Sequence, residues 1–294
     1  MAGGFMSDNV REHPRDRAGL TYVYPVVSRR ARGVSIGVNL NPNAHCNWRC
    51  VYCQVPGLQR GAGPEIDLEL LRSELEGFLE AVTAGDWLEH FAPPEARRIN
   101  DVAFSGDGES TTSPQFAECV ELVAECMARF GLLERGVKLV LITNGSMVGR
   151  GEVQEGLARL AEANGEVWFK FDGAREQDRL AINDVRIPDS RVRANLRTAA
   201  ALAPTRIQTC VFARSGEEPD EAWQAAYLGF LAEELAQGTP IRDVMLYGLA
   251  RPSHQPEAAE LRSVSDDWLR TFAGRVRALG LPVSAFGAEG PIEL

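Results

Sequence analysis

Residues 33 to 53 read Gly-Val-Ser-Ile-Gly-Val-Asn-Leu-Asn-Pro-Asn-Ala-His-Cys-Asn-Trp-Arg-Cys-Val-Tyr-Cys. The first half holds a short apolar run, Val34 to Leu40, and the second is a polar loop that crowds Cys46, Cys50 and Cys53 together. Working outward, five more β-like runs recur: Asp101 to Ser105, Val137 to Ile142, Glu166 to Phe171, Arg206 to Phe212 and Asp243 to Tyr247. Residues 281 to 286 add a last short one. Between them lie stretches whose apolar residues fall three and four apart, the helical period. Leu71, Leu75, Phe78 and Val82 mark the first, Trp223, Tyr227, Phe230 and Leu231 the fifth, and Trp268, Phe272, Val276 and Leu279 the last. Ser113 before Pro114 predicts the start of the second helix, a capping residue ahead of proline at the first helical position. Six βα units predict an α/β fold with parallel strands, a partial (β/α)6 TIM-like barrel, with ligands at the C-terminal ends of the strands. With no repeat, low-complexity tract or long linker, the reading is one domain over 21–294 behind a loose, aperiodic arm over 1–20.

The composition excludes several classes. Of 294 residues, 45% are hydrophobic and 24% charged, which fits a globular chain and excludes disorder throughout. No window approaches the ~18 apolar residues of a membrane span, and the first twenty residues hold no apolar signal core, so the expectation is a cytoplasmic protein with no membrane partner. The net charge of −10 is uneven: residues 1 to 60 carry eight Arg against Asp8, Glu12 and Asp16, hence +5, leaving −15 for the rest. An acidic whole argues against broad nucleic-acid binding, although Arg29, Arg30, Arg32, Arg49 and Arg60 could meet an anionic group. Six cysteines are too sparse for a disulfide scaffold and point to metal or redox work.

Three thiolates spaced by three and two residues can hold three irons of a cubane. Such clusters usually take four Cys, so a loop supplying three leaves one iron open to another ligand. Zinc or plain buried thiols are the alternatives, but zinc wants four N or S ligands and no second Cys pair follows. His45 is a poor fourth ligand, being the immediate neighbour of Cys46.

The CxxxCxxC motif with Tyr52 before the third Cys, on the loop after the first strand of a βα series, resembles the radical S-adenosylmethionine (SAM) superfamily. The resemblance implies one 4Fe–4S cluster on Cys46, Cys50 and Cys53, with SAM chelating the open iron. Reductive cleavage of SAM would then give methionine and a 5′-deoxyadenosyl radical that abstracts hydrogen from a substrate. Ser105-Gly106-Asp107-Gly108-Glu109 resembles the family's glycine-rich segment that holds the SAM ammonium, through Asp107 or Glu109. Tyr52 would lie beside the adenine, contributing chiefly through its backbone, and Asn144, in Thr143-Asn144-Gly145-Ser146, would line the SAM site. Around Tyr24-Pro25-Val26-Val27-Ser28-Arg29-Arg30, Ser35 to Leu40, Cys53-Gln54 and Trp168-Phe169-Lys170-Phe171-Asp172, the chain resembles the tRNA wybutosine-synthesising branch. Those enzymes carry a second cluster on upstream cysteines, and no Cys precedes Cys46 here, so their tRNA reaction is not favoured.

Alternation along a strand puts Trp168, Lys170 and Asp172 on one face and Phe169 and Phe171 on the other. The aromatic face should pack on helices. Lys170 and Asp172 should point into the barrel, where a lone charge is costly, and pair with each other or with a ligand such as the SAM carboxylate or ribose. Gln208 and Cys210 face inward in the same way, Gln208 towards the cofactor and Cys210 as a hydrogen-atom donor, an iron ligand or a small buried thiol. Lys170 and Cys210 are the candidate catalytic residues. Cys119 and Cys126, seven apart on a helix, read as core, and His254 as a solvent-facing loop residue. The expected partners are a small-molecule or nucleotide substrate and an electron donor such as flavodoxin or ferredoxin; a non-catalytic Fe–S protein is the alternative to an enzyme.

Overall fold

Short runs of β-branched and apolar residues form a nine-stranded sheet whose strands lie side by side in chain order. They are β1 (Val23–Ser28), β2 (Gly33–Val38), β3 (Ile99–Phe104), β4 (Lys138–Thr143), β5 (Glu166–Lys170), β6 (Thr205–Cys210), β7 (Ile241–Tyr247), β8 (Val283–Phe286) and β9 (Pro291–Ile292). This computed structural model describes residues 19–28, 33–288 and 290–294. The arm expected over 1–20 therefore falls almost wholly outside the described residues, as do Arg29, Arg30 and Arg32.

Strands β2 to β8 are parallel, and β1 and β9 close the two edges antiparallel. Among the described residues β1 and β9 do not pair with each other, so the sheet curls into an open barrel. Helices cover its outside: α1 (Leu68–Thr83), α2 (Phe116–Arg129), α3 (Gly151–Glu162), α4 (Glu176–Asn183), α5 (Asp189–Leu202), α6 (Glu221–Ala236) and α7 (Asp266–Arg277). Parallel strands are buried on both faces and read as near-continuous apolar runs, as in Val102-Ala103-Phe104 and Leu139-Val140-Leu141. Leu71, Leu75, Phe78 and Val82 are buried on α1, whose first turn is capped by the Asp67 carboxylate accepting from the Leu70 N–H at 2.9 Å. Cys119 and Cys126 are buried on α2, as core.

Two local expectations change. The second helix starts at Phe116 instead of Pro114, because Ser110–Thr112 form a 3-10 turn that ends on Ser113. The Glu109 side chain and the Thr112 hydroxyl hold that turn. Residues 24 to 28, quoted above for a family motif, lie in the edge strand β1, with Tyr24 opposite Gly37. A Cβ on Gly37 would stand 2.2 Å from the Tyr24 ring, so the glycine makes room for the aromatic.

Candidate functional site

The cysteine loop leaves β2 at the C-terminal end of the sheet and is fastened from two sides. The Arg49 and Val51 N–H groups donate to the Asn183 and Ile182 carbonyls at the end of α4, at 3.2 and 2.8 Å. From the loop after β7, the Ser253 hydroxyl donates to the Val51 carbonyl at 2.7 Å and the His254 N–H to the Cys53 carbonyl at 2.9 Å. Arg49 forks onto Glu257 at 2.8 and 2.9 Å and also reaches Asp184 at 3.0 Å. Hydrogen bonds from Arg60 and then Arg49 hold Asp184 below its ordinary pKa, and that from Arg49 does the same for Glu257.

Cys46, Cys50 and Cys53 are partly exposed free thiols. Burial pushes the Cys46 thiol up to about 12, with Glu109, Cys50 and Cys53 adding to the rise; burial takes Cys50 to about 11, against a downward pull from Lys170. Among the described residues no three His, Cys, Asp or Glu side chains gather closely enough to hold a single metal ion. Three thiols in electrostatic reach of one another on one loop fit a cubane, which spreads its thiolates over separate irons.

The Gly106 to Glu109 turn follows β3 and lies against the start of that loop. Gly106 has φ +148°, where side chains are rarely accommodated, and a Cβ on Gly108 would sit 2.0 Å from the His45 carbonyl oxygen. Glu109 and Asp107 differ in what they do. Glu109 is buried and braces the Thr143-Asn144 turn: it accepts from the Thr143 hydroxyl at 2.6 Å, the Asn144 N–H at 2.7 Å, and the Thr111 N–H and hydroxyl. Asp107 is the more exposed and accepts from Asn39 Nδ2 at 2.6 Å. Asn144 donates to Asn47 Oδ1 at 2.9 Å, tying this turn to the cysteine loop.

On the barrel's inner face, Asp172 accepts from the Tyr52 hydroxyl, from Asn183 Nδ2 at 2.9 Å and from the Cys210 N–H at 3.0 Å. Lys170 Nζ donates to the Tyr247 hydroxyl at 3.1 Å and lies 4.9 Å from the centre of the Tyr52 ring. The two charges are thus not paired with each other, although both point inward as alternation requires. Burial opposes the Lys170 charge, but Tyr247 and Asp172 outweigh it and hold its pKa well above the ordinary value. Burial and the Asp172 carboxylate raise Tyr52, so it stays a neutral donor. Gln208 and Cys210 are buried near the upper end of β6. On the opposite face, Phe171 packs on Tyr227 and Phe230 of α6, ring centres 5.2 and 4.2 Å apart, as expected of the aromatic face. His254 is exposed.

Sequence reasoning missed Asn183, Tyr247 and Ser253. Each reaches the site from a distant part of the chain and carries no local signal. A small cavity of about 10 Å³ lies among Trp48, Asn144, Lys170, Asp172 and Asn183.

No protein-family profile matches the chain. Curated relatives are described as UPF0026 proteins. That of Helicobacter pylori is 27% identical over 134 residues, 45% of this chain and 37% of its own length. That of Methanocaldococcus jannaschii is 28% identical over 156 residues, 52% of this chain and 40% of its own length. The chain therefore spans less than half the length of the curated relatives it matches. Among solved structures, a radical SAM methyltransferase from Sphaerobacter thermophilus superposes with a TM-score of 0.56 at 15% identity, covering 87% of this chain and 66% of that one. Streptococcus suis SuiB bound to S-adenosylmethionine gives 0.52 at 11% identity, covering 87% and 48%. A spore photoproduct lyase mutant gives 0.51 at 11% identity, covering 84% and 74%. The open α/β barrel is the fold shared with these solved structures. Among the described residues no helix is long and apolar enough to cross a membrane.

Proposed function

We propose that the protein is a radical SAM enzyme that holds one 4Fe–4S cluster on Cys46, Cys50 and Cys53. The observation that carries this reading is three thiols on one loop at the C-terminal mouth of an open barrel, facing an inward Lys170 and a buried Asp172. When bound, a reduced cluster with one open iron supplies the electron that splits SAM into methionine and a 5′-deoxyadenosyl radical.

The chain's own residues would bind, orient and shield. Gly106 and Gly108 let the backbone approach closely, and Asp107 takes the SAM ammonium, since Glu109 is committed to bracing Thr143 and Asn144. Asn144 lines the same end of the site. Tyr52 acts less through its backbone than as a wall, its ring under Lys170 and its hydroxyl on Asp172. Lys170 keeps its proton and offers a cation to a carboxylate of SAM or substrate, while Asp172 and Gln208 face the ribose. Cys210, buried beside Asp172, stands where a thiol hydrogen could be given back to a substrate radical.

The substrate is a small molecule or nucleotide, and a flavodoxin or ferredoxin supplies the electron. Reduction of the iron-loaded protein by dithionite with SAM tests the reading: an enzyme of this kind releases 5′-deoxyadenosine, and a non-catalytic Fe–S protein releases none.

A further inference from the structure

Asn183 ends α4 at the point where that helix meets the cysteine loop, and its side chain is 1% exposed. Its Nδ2 donates twice, to Asp172 Oδ2 at 2.9 Å and to Cys50 Sγ at 3.2 Å. Its Oδ1 is buried and has no partner among the described residues. Turning the amide over would not help, because Oδ1 would then face the Asp172 carboxylate, which only accepts. A buried amide with one end unsatisfied is unfavourable for folding, and an apolar side chain of similar size would avoid the defect. Function is a reason to keep it. One donated hydrogen goes to a sulfur of the proposed cluster, and the other to the carboxylate that also holds Tyr52 and the Cys210 N–H.

Resting on the cluster reading above, we propose that Asn183 is a positioning residue of the iron–sulfur site that raises its reduction potential and fixes Cys50 relative to Asp172. A hydrogen-bond donor aimed at a ligand sulfur stabilises the more electron-rich, reduced form of a cluster. The C-terminal turn of α4 makes the placement firm, because its Ile182 and Asn183 carbonyls already grip the loop on either side of Cys50 through Val51 and Arg49.

The full chain, loaded anaerobically with iron and sulfide, is titrated with dithionite and followed by electron paramagnetic resonance, alongside Asn183→Leu and Asn183→Ser. Both variants should take up the wild-type amount of iron and reduce at a more negative potential. The ratio of reduced to oxidised cluster at a fixed potential should fall about tenfold, equivalent to about 59 mV for a one-electron couple. Unchanged potentials in loaded variants overturn the proposal and leave the cluster reading standing. If the variants do not hold iron, wild-type protein labelled with ¹⁵N on the asparagine side-chain amides decides. A ¹⁵N coupling to the reduced cluster in pulsed spectra supports the contact, and its absence overturns it. Wild-type protein that takes up no iron removes the cluster reading and this inference together.

Discussion

Strand β5 carries a charge at each end on the face that looks into the barrel, and the two ends treat it differently. At the lower end Glu166 accepts from Arg206 at 3.2 Å and from Trp168 Nε1 at 2.8 Å, and Arg206 passes on to Asp243 at 2.7 Å. Each charge touches its opposite. At the upper end Lys170 rests on a neutral hydroxyl, and Asp172 is held by neutral O–H and N–H donors. A buried charge without an ionic contact costs stability, and an upper end built this way fits the ligand-binding role proposed for Lys170 and Asp172. The lower end spends its charges on the fold, matching the division of labour in TIM-like barrels.

The largest expected effect comes from breaking the lower end. Arg206→Met leaves Asp243 without this cation and Glu166 with the more distant Arg242 at 3.6 Å, and should cost about 3–5 kcal/mol in urea unfolding, while the folded fraction still cleaves SAM. Lost cleavage with an intact unfolding midpoint would reverse the comparison. Asp101 in β3 sharpens it, as a carboxyl near the lower end answered chiefly by the Ser35 hydroxyl. Burial raises it from 3.8 to about 6, the Ser35 hydrogen bond pulls the other way, and Glu166 adds to the rise. The folded state therefore binds more protons than the unfolded one between those values, and stability falls as pH rises through that window, by about 3 kcal/mol. Asp101→Asn should flatten this slope and be the more stable protein at pH 7; a slope that persists counts against the assignment.

At the upper end, Lys170→Met should lower 5′-deoxyadenosine formation about 100-fold, or about 2.7 kcal/mol, with the unfolding midpoint unmoved or raised. A lowered midpoint with normal product formation would make Lys170 a structural residue. The smallest effect is expected at Glu257, whose pair with Arg49 is partly solvated. Glu257→Gln should cost about 0–1 kcal/mol in unfolding, and a loss of several would mean that the loop depends on this pair alone.

The βα alternation was legible because buried parallel strands and amphipathic helices leave strong periods in the sequence, and the cysteine spacing stood out by itself. The inward direction of Lys170 followed from strand alternation, which fixes a face but not a partner. Its partner, Tyr247, comes from the end of β7, and Tyr52 from the cysteine loop displaces Lys170 at Asp172. Glu109 stood out by its motif alone, and nothing local reveals that it also accepts from Thr143 and Asn144, 34 and 35 residues on. Asn183 lies 133 residues from Cys50, and no spacing rule spans that distance. The edge strand β1 escaped notice because Pro25 reads against a strand, although an edge position tolerates its missing N–H.

Iron content and the visible spectrum of anaerobically loaded protein, compared among the wild type and the Cys46→Ser, Cys50→Ser, Cys53→Ser and Cys119→Ser variants, test the central claim most directly. The account predicts about four irons per chain in the wild type and in Cys119→Ser, and loss of the cluster in each of the other three. Full iron loading in any of those three variants, or none in the wild type, would contradict it.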